Sequence, residues 1–112
     1  MQKSFEVGPV SGENIINAGK ELSGDNFMIK SEYIEGKEVF SIGQKSRHSS
    51  GSFIIQVDGG NWIDPEKQYK KISVEDFHWD GVLIDSDGQA VVGGVVDFSA
   101  RLEKGLMEKS KK

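Results

Sequence analysis

Short segments in which apolar and polar residues alternate make up most of the chain, and each ends at a turn-forming residue. This period of two predicts β-strands that are half-buried in a sheet, with Phe27 and Ile29 on one face of the first strand. Glu35-Gly36 and Asp58-Gly59-Gly60 provide turns between strands. The predicted strands are FMIKSEYI (27–34), KEVFSIGQ (37–44), FIIQV (53–57), a short NWI (61–63) and YKKISV (69–74).

A helix is predicted near each end of the chain. Ser11 is a suitable N-cap for a helix over Gly12–Leu22, and Gly24 ends it. A second helix is predicted over 99–112, although Gly105 weakens it by ~1 kcal/mol. Its expected buried stripe consists of Leu102, Leu106 and Met107.

The segment GVLIDSDGQAVVGGVV, residues 81–96, allows two interpretations. Asp85-Ser86-Asp87-Gly88 begins like a calcium-binding loop, but the glycine and the final glutamate of that motif are absent from their positions. Asp87-Gly88 is instead typical of a hairpin turn. We therefore predict a hairpin whose second strand, AVVGGVVDF (90–98), is covered on both faces. Ser73 lies three residues before Asp76, which predicts one helical turn at 73–77.

Together these elements predict a single α+β domain over residues 1–112. We expect a curved antiparallel sheet of five to seven strands in meander order, flanked by an N-terminal and a C-terminal helix. The alternative is a small β-barrel with helices. FSIGQ and FIIQV have few charged residues that would protect an exposed sheet edge, so we also expect a homodimer.

Composition and charge narrow the possible functions. The 112 residues include no cysteine, which excludes disulfides and thiolate chemistry and is compatible with the cytoplasm. The net charge is −4, with +3 in residues 101–112 and −7 in the remainder. An acidic body disfavours nucleic acid and anionic membranes as partners. The N-terminus contains no long apolar run, so we expect neither a secretory signal nor a membrane anchor.

Few residues suggest catalysis or a cofactor. His48 lies among serines in SRHSSGS, and the other histidine, His78, is distant in sequence, so no Ser–His pair or metal-ligand spacing is evident. Most aspartates adjoin glycine, proline or serine, where they are favoured for turn formation. We therefore predict no metal, no cofactor and no enzymatic activity. A carboxylate-based hydrolase or a small-ligand-binding domain remains the alternative.

The acidic and aromatic segment VEDFHWDG, residues 74–81, is the candidate binding site. Either Phe77 and Trp79 point into the core or they contribute to an interaction surface, and Trp62 raises the same question. In the second case the protein binds a partner protein that has a basic surface, as an inhibitor, immunity protein or adaptor of the kind encoded by phages and mobile elements. The predicted contact residues are Asp76, His78, Trp79, Asp80, Asp85 and Asp87.

Overall fold

The computed structural model describes residues 2–44, 53–58, 60–76 and 88–110, with the side chains of 95–108 in the last range. Within these residues the fold consists of five strands and two helices, and a 3₁₀ turn at Gly24–Asn26 follows the first helix. The elements are β1 (Gln2–Ser11), α1 (Gly12–Ser23), β2 (Phe27–Ile34), β3 (Lys37–Gln44), β4 (Phe53–Val57), β5 (Gln68–Asp76) and α2 (Gly88–Ser110).

The strands form one sheet in the order β1-β5-β4-β3-β2, and every neighbouring pair is antiparallel. β1 and β2 lie at the two edges and do not pair with each other in the described part of the chain, so the sheet is not closed into a barrel. The prediction of an α+β fold with an antiparallel sheet is confirmed. The barrel alternative is wrong.

One apolar cluster joins the helices to the sheet. α1 contacts β1, β2 and β3, α2 contacts β1 and β5, and the two helices contact each other. Phe53 of β4 lies 5.3 Å from Phe98 of α2, measured between ring centroids. The fully buried side chains of the cluster include Ile15, Ile42, Ile55, Ile63, Ile72, Val74, Val95, Leu102 and Leu106.

Local sequence features produce α1 and the β2–β3 hairpin as predicted. The Ser11 hydroxyl accepts a hydrogen bond from the Asn14 backbone N–H, which caps the first turn of α1. Glu35 and Gly36 have φ angles of 52° and 81°. Two consecutive positive φ angles are characteristic of the type I′ turn, whose twist suits a two-residue hairpin.

The predicted strand at 90–98 is wrong, because α2 begins at Gly88 and includes these residues. A run of apolar residues on both faces fits a buried helix as well as a buried strand. Val95 and Phe98 lie three residues apart and are both buried, as a helix requires. The proposed turn residues Asp85 and Asp87 lie outside the described residues. Met107 is 45% exposed, so it is not part of the buried stripe.

Three further expectations require correction. The helical turn predicted from Ser73 to Asp76 is wrong, because these residues continue β5 between β1 and β4. NWI contributes only an isolated bridge, between Ile63 and Phe40 of β3. FSIGQ and FIIQV belong to β3 and β4, which have neighbours on both sides, so they are not the exposed edges.

The N-terminal strand β1 was not predicted. Its pairing with β5 is irregular, with a register shift between Glu6 and Val10, and Gly8-Pro9 lies within that irregular stretch. Glycine and proline weaken the strand pattern in a sequence, although both are tolerated at bulges and sheet edges. The true edges of the sheet are therefore β1 and β2.

Candidate functional site

The structure describes only one of the six predicted contact residues. Asp76 is the last residue of β5, is partly buried and pairs with Phe53 of β4. The other five lie outside the described residues, so their proximity to one another stays a prediction: His78, Trp79, Asp80, Asp85 and Asp87.

The described residues do form a concave site elsewhere, at the turn end of the β2–β3 hairpin. We call it the Asp64 cleft. It has a volume of about 300 Å³ and lies between the hairpin and the connection from β4 to β5. Its lining residues are Ile34, Glu35, Lys37, Val39, Trp62, Asp64, Lys67 and Tyr69.

An isolated bridge brings the two sides of the cleft together. The Phe40 N–H donates to the Ile63 carbonyl at 2.9 Å, and the Ile63 N–H donates to the Phe40 carbonyl at 2.7 Å. Ile63 is fully buried, so the residues on either side of it are held against β3. Trp62 and Asp64 are therefore positioned beside the hairpin by residues that are distant from it in sequence.

Asp64 organises the turn that leads into β5. Its carboxylate Oδ1 accepts a hydrogen bond from the Glu66 N–H at 2.9 Å, and its carbonyl accepts one from the Lys67 N–H at 3.1 Å. An aspartate that bonds to the backbone two residues later forms an Asx turn. Our expectation that Asp64-Pro65 serves turn formation is therefore confirmed, but the side chain also lines the cleft.

The turn is fixed against the first helix. The Gly12 N–H donates to the Lys67 carbonyl at 2.8 Å, and the Glu13 N–H donates to the Pro65 carbonyl at 3.1 Å. These are backbone donors of the first turn of α1, which have no partner within the helix. The cleft is therefore built on regular elements and not on a loop alone.

The carboxylate of Asp64 is only weakly compensated by positive charge. Its side chain is 7% exposed, and Lys37 Nζ lies 3.7 Å from Oδ2. Lys37 Nζ also lies 3.9 Å from Glu66 Oε2, and its side chain is 59% exposed. Both contacts of Lys37 are long and its ammonium group is solvated, so its pairing should contribute little to stability although Asp64 itself is buried.

Tyr69 lies at the bottom of the site and is mostly buried. Its hydroxyl oxygen accepts a hydrogen bond from the buried Asp64 N–H at 2.9 Å. Burial raises the pKa of Tyr69 above its usual value of 10.0; the hydrogen bond from the Asp64 backbone opposes this increase, and the charges of Asp64 and Asp58 add to it. Tyr69 therefore keeps its proton at neutral pH and can also act as a hydrogen-bond donor.

A second hollow of about 310 Å³ adjoins the cleft and shares Lys37 and Asp64 with it. Glu38, Phe40, Pro65 and Glu66 complete its lining. The two hollows together carry two lysines and four carboxylates, which gives a local charge of −2. The surface formed by the two hollows is therefore acidic, and it includes one partly exposed aromatic ring, that of Trp62.

These groups suit binding. The cleft presents a carboxylate, a protonated phenol, an indole ring and apolar side chains, which can orient a polar or cationic group. Among residues 2–44, 53–58, 60–76 and 88–110, no group of three or more His, Asp or Glu side chains is arranged to hold a metal ion.

Sequence reasoning missed this site because its residues come from separate segments. Trp62, for which the sequence allows either a core or a surface position, does line the cleft. Nothing in the sequence distinguishes Lys37 or Tyr69 from the other residues of its strand. The one available indication was the order Trp62-Ile63-Asp64-Pro65, in which a large aromatic residue and an acid flank a single apolar residue.

No described helix is long and apolar enough to cross a membrane. Comparison of the chain with protein-family models, with curated proteins and with solved structures found no match.

Proposed function

We propose that this protein acts by binding another protein, and that the Asp64 cleft receives a cationic side chain from a basic surface of that partner. The observation that carries the proposal is the poorly compensated carboxylate of Asp64 beside the partly exposed ring of Trp62. A cation over an indole face and next to a carboxylate gains from both contacts. The role is that of a small accessory protein, such as an inhibitor, immunity protein or adaptor, of the kind encoded by phages and mobile elements.

Arginine is the cationic side chain that fits this site best. Its planar guanidinium stacks on aromatic rings and donates several hydrogen bonds in one plane. The Asp64 carboxylate and the Tyr69 hydroxyl both offer acceptor oxygens, and burial of Asp64 reduces the screening of its charge. The incoming guanidinium would replace Lys37, whose exposed ammonium group is held only at long distance.

The net charge supports the same class of partner. The body of the protein carries −7, and the two hollows carry −2 of this charge. Acidic residues around a contact speed association with a cationic protein. Asp76 and the segment from His78 to Asp87 remain a proposed second contact on the same argument. An acidic surface disfavours nucleic acid, and we propose a cytoplasmic location because the chain has no cysteine.

Affinity capture from the native host, with matched baits, tests this proposal. Wild-type protein, Trp62→Ala and Lys37→Gln are immobilised, and retained proteins are identified by mass spectrometry. We expect a basic protein that is retained by the wild type and released by salt. Trp62→Ala should weaken its binding by ~2 kcal/mol or more, as for a central aromatic contact.

Lys37→Gln gives the sharper result, because the sign of its effect depends on the charge of the partner. Removing the competing lysine should strengthen the binding of a cationic group, whereas it would weaken the binding of an anion. Weaker binding by Lys37→Gln would therefore contradict the proposal. If no protein is retained, while a small cationic metabolite raises the melting temperature, the cleft is a small-ligand site instead.

A further inference from the structure

The edge strand β2 concentrates apolar side chains on the surface. Among the described residues, the exposed large hydrophobic side chains are those of Ile29, Tyr33, Ile34, Val96 and Met107, so three of the five lie on β2. Tyr33 is 71% exposed, Ile29 46% and Ile34 43%. A long edge strand with exposed apolar residues is a template for pairing with another strand.

The hydrogen bonds of the neighbouring strand show which backbone groups of β2 face the open edge. Phe40 of β3 exchanges both of its backbone hydrogen bonds with Ile63, on the side away from β2. Ser31 lies directly opposite Phe40. In an antiparallel ladder such a pair is not hydrogen-bonded, so the N–H and C=O groups of Ser31 point away from β3. Those of Ile29 and Tyr33 do the same, because the pattern repeats every two residues.

We propose that a second copy of this chain pairs antiparallel with β2, around a two-fold axis through Ser31. Ser31 then lies opposite Ser31 of the second copy, and the two exchange backbone hydrogen bonds. Ile29 lies opposite Tyr33 of the second copy on one face. On the other face, Lys30 lies opposite Glu32 of the second copy and Met28 opposite its Ile34.

The segment from Met28 to Ile34 is therefore complementary to itself when reversed. Within it each apolar residue meets an apolar residue and each charge meets the opposite charge, in two symmetric Lys30–Glu32 pairs, while Phe27 lies opposite Glu35 of the turn. Lys30 and Glu32 direct their own backbone bonds toward β3, so across the dimer they form the non-hydrogen-bonded type of pair. Side chains approach each other most closely in that type of pair, which favours the ionic contact.

Other registers are disfavoured. A shift of two residues in one direction places Lys30 opposite Lys30, and the same shift in the other direction places Glu32 opposite Glu32. Like charges directly opposite each other are destabilising. A shift of one residue sets outward-facing backbone groups against inward-facing ones, so that the ladder cannot form. Of these neighbouring registers, the one centred on Ser31 satisfies both the charges and the backbone, and it pairs the most residues of β2.

The result is a continuous ten-stranded sheet, with five strands from each copy. This differs from the homodimer expected from the sequence, which was based on FSIGQ and FIIQV. An interface made by one added strand is small, so we expect a weak dimer that forms at high micromolar concentration. The proposal does not depend on the proposed function, although Ile34 also lines the Asp64 cleft and the Phe40–Ile63 bridge is used in both arguments.

Reversing the charges at positions 30 and 32 tests the register directly. Sedimentation equilibrium over a wide concentration range is recorded for the wild type, for Lys30→Glu, for Glu32→Lys and for the double exchange, which combines both substitutions. Each single variant should dimerise about tenfold more weakly or worse, because both pairs become like-charged. The double exchange should restore the wild-type constant. An equimolar mixture of the two single variants should form a heterodimer, since their charges are again opposite.

Ser31→Pro tests the backbone pairing separately. The Ser31 N–H faces the open edge, where proline is tolerated, so the variant should fold but remain a monomer. Ser31→Thr is the matched control and should dimerise like the wild type. A wild-type monomer at every concentration, or a dimer that neither Lys30→Glu nor Ser31→Pro weakens, would overturn the proposal. Circular dichroism and urea unfolding establish that each variant is folded.

Discussion

Gly12 of α1 and Asp64 of the β4–β5 connection approach so closely that a side chain at Gly12 would overlap the Asp64 carbonyl. A β-carbon built on Gly12 would also lie 2.9 Å from Ile63 Cγ2. The absence of a side chain lets the first turn of the helix lie directly on the turn of Asp64, where the Gly12 N–H reaches the Lys67 carbonyl. The helix and the candidate site are therefore coupled through close backbone contacts at the first turn of α1.

Replacement of Gly12 by alanine should be strongly destabilising. The added methyl group cannot be accommodated without moving α1 away from the turn, because the nearest atoms belong to the backbone. We expect a loss of about 2–3 kcal/mol in the free energy of unfolding, measured by urea denaturation. Gly105→Ala is the matched control. No described residue lies within 4 Å of a β-carbon at Gly105, so this change should stabilise α2 by ~1 kcal/mol. Equal effects at both sites would contradict the packing described here.

Tyr69 should make stability depend on pH in the alkaline range. Its pKa is raised above 10.0 in the folded protein, so the unfolded chain loses this proton first as the pH increases. The stabilisation is complete below pH 10 and declines as the pH rises from there through the folded pKa. At neutral pH, Tyr69→Phe should cost about 1–3 kcal/mol, because the buried Asp64 N–H loses its acceptor.

The pH dependence is measured as the difference in unfolding free energy between wild type and Tyr69→Phe, from about pH 8 to about pH 11. The difference should shrink above pH 10, since phenylalanine cannot ionise. Tyr33→Phe is the control. The Tyr33 side chain is 71% exposed, so this substitution should change the free energy of unfolding at neutral pH by less than ~0.5 kcal/mol. A difference that stays constant up to pH 11 would mean that the phenol is not protected by burial.

Features that depend on neighbouring residues in the sequence could be predicted. The Ser11 cap and the Glu35-Gly36 turn are local, because each is determined by the conformational preferences of a few adjacent residues. The strand at 53–57 was also predicted, and Phe53, Ile55 and Val57 are buried on one of its faces. Ile54 on the opposite face is buried as well, which period-two alternation does not predict.

Features that depend on contacts between distant segments could not be predicted. The Asp64 cleft requires the bridge between Phe40 and Ile63 and the approach of Gly12, and no short sequence pattern specifies either contact. The same holds for the sheet edges. β2 alternates like a half-buried strand, but Ile29 is exposed because α1 covers only part of the sheet and β2 is the last strand in it.

The C-terminal region shows a different limit of prediction, and it leads to the last test. Val95 and Val96 belong to an apolar run that fits a strand covered on both faces or a helix packed along one face. A strand and a helix would place these two side chains in different environments. In a strand covered on both faces both would be buried, whereas in α2 Val95 is fully buried and Val96 is 41% exposed.

Alanine at each position distinguishes these cases, because in a helix only the change at the buried position should destabilise the protein. Val95→Ala removes buried methyl groups and should cost about 2 kcal/mol. Val96→Ala should leave the free energy of unfolding unchanged or increase it by about a few tenths of a kcal/mol, since alanine is the better helix former. In a strand, valine would be the preferred residue, and its loss at position 96 would destabilise the protein. Urea denaturation gives both values, and far-ultraviolet circular dichroism should show equal or greater helix content for Val96→Ala. A loss of stability at both positions would contradict the helical assignment of this segment.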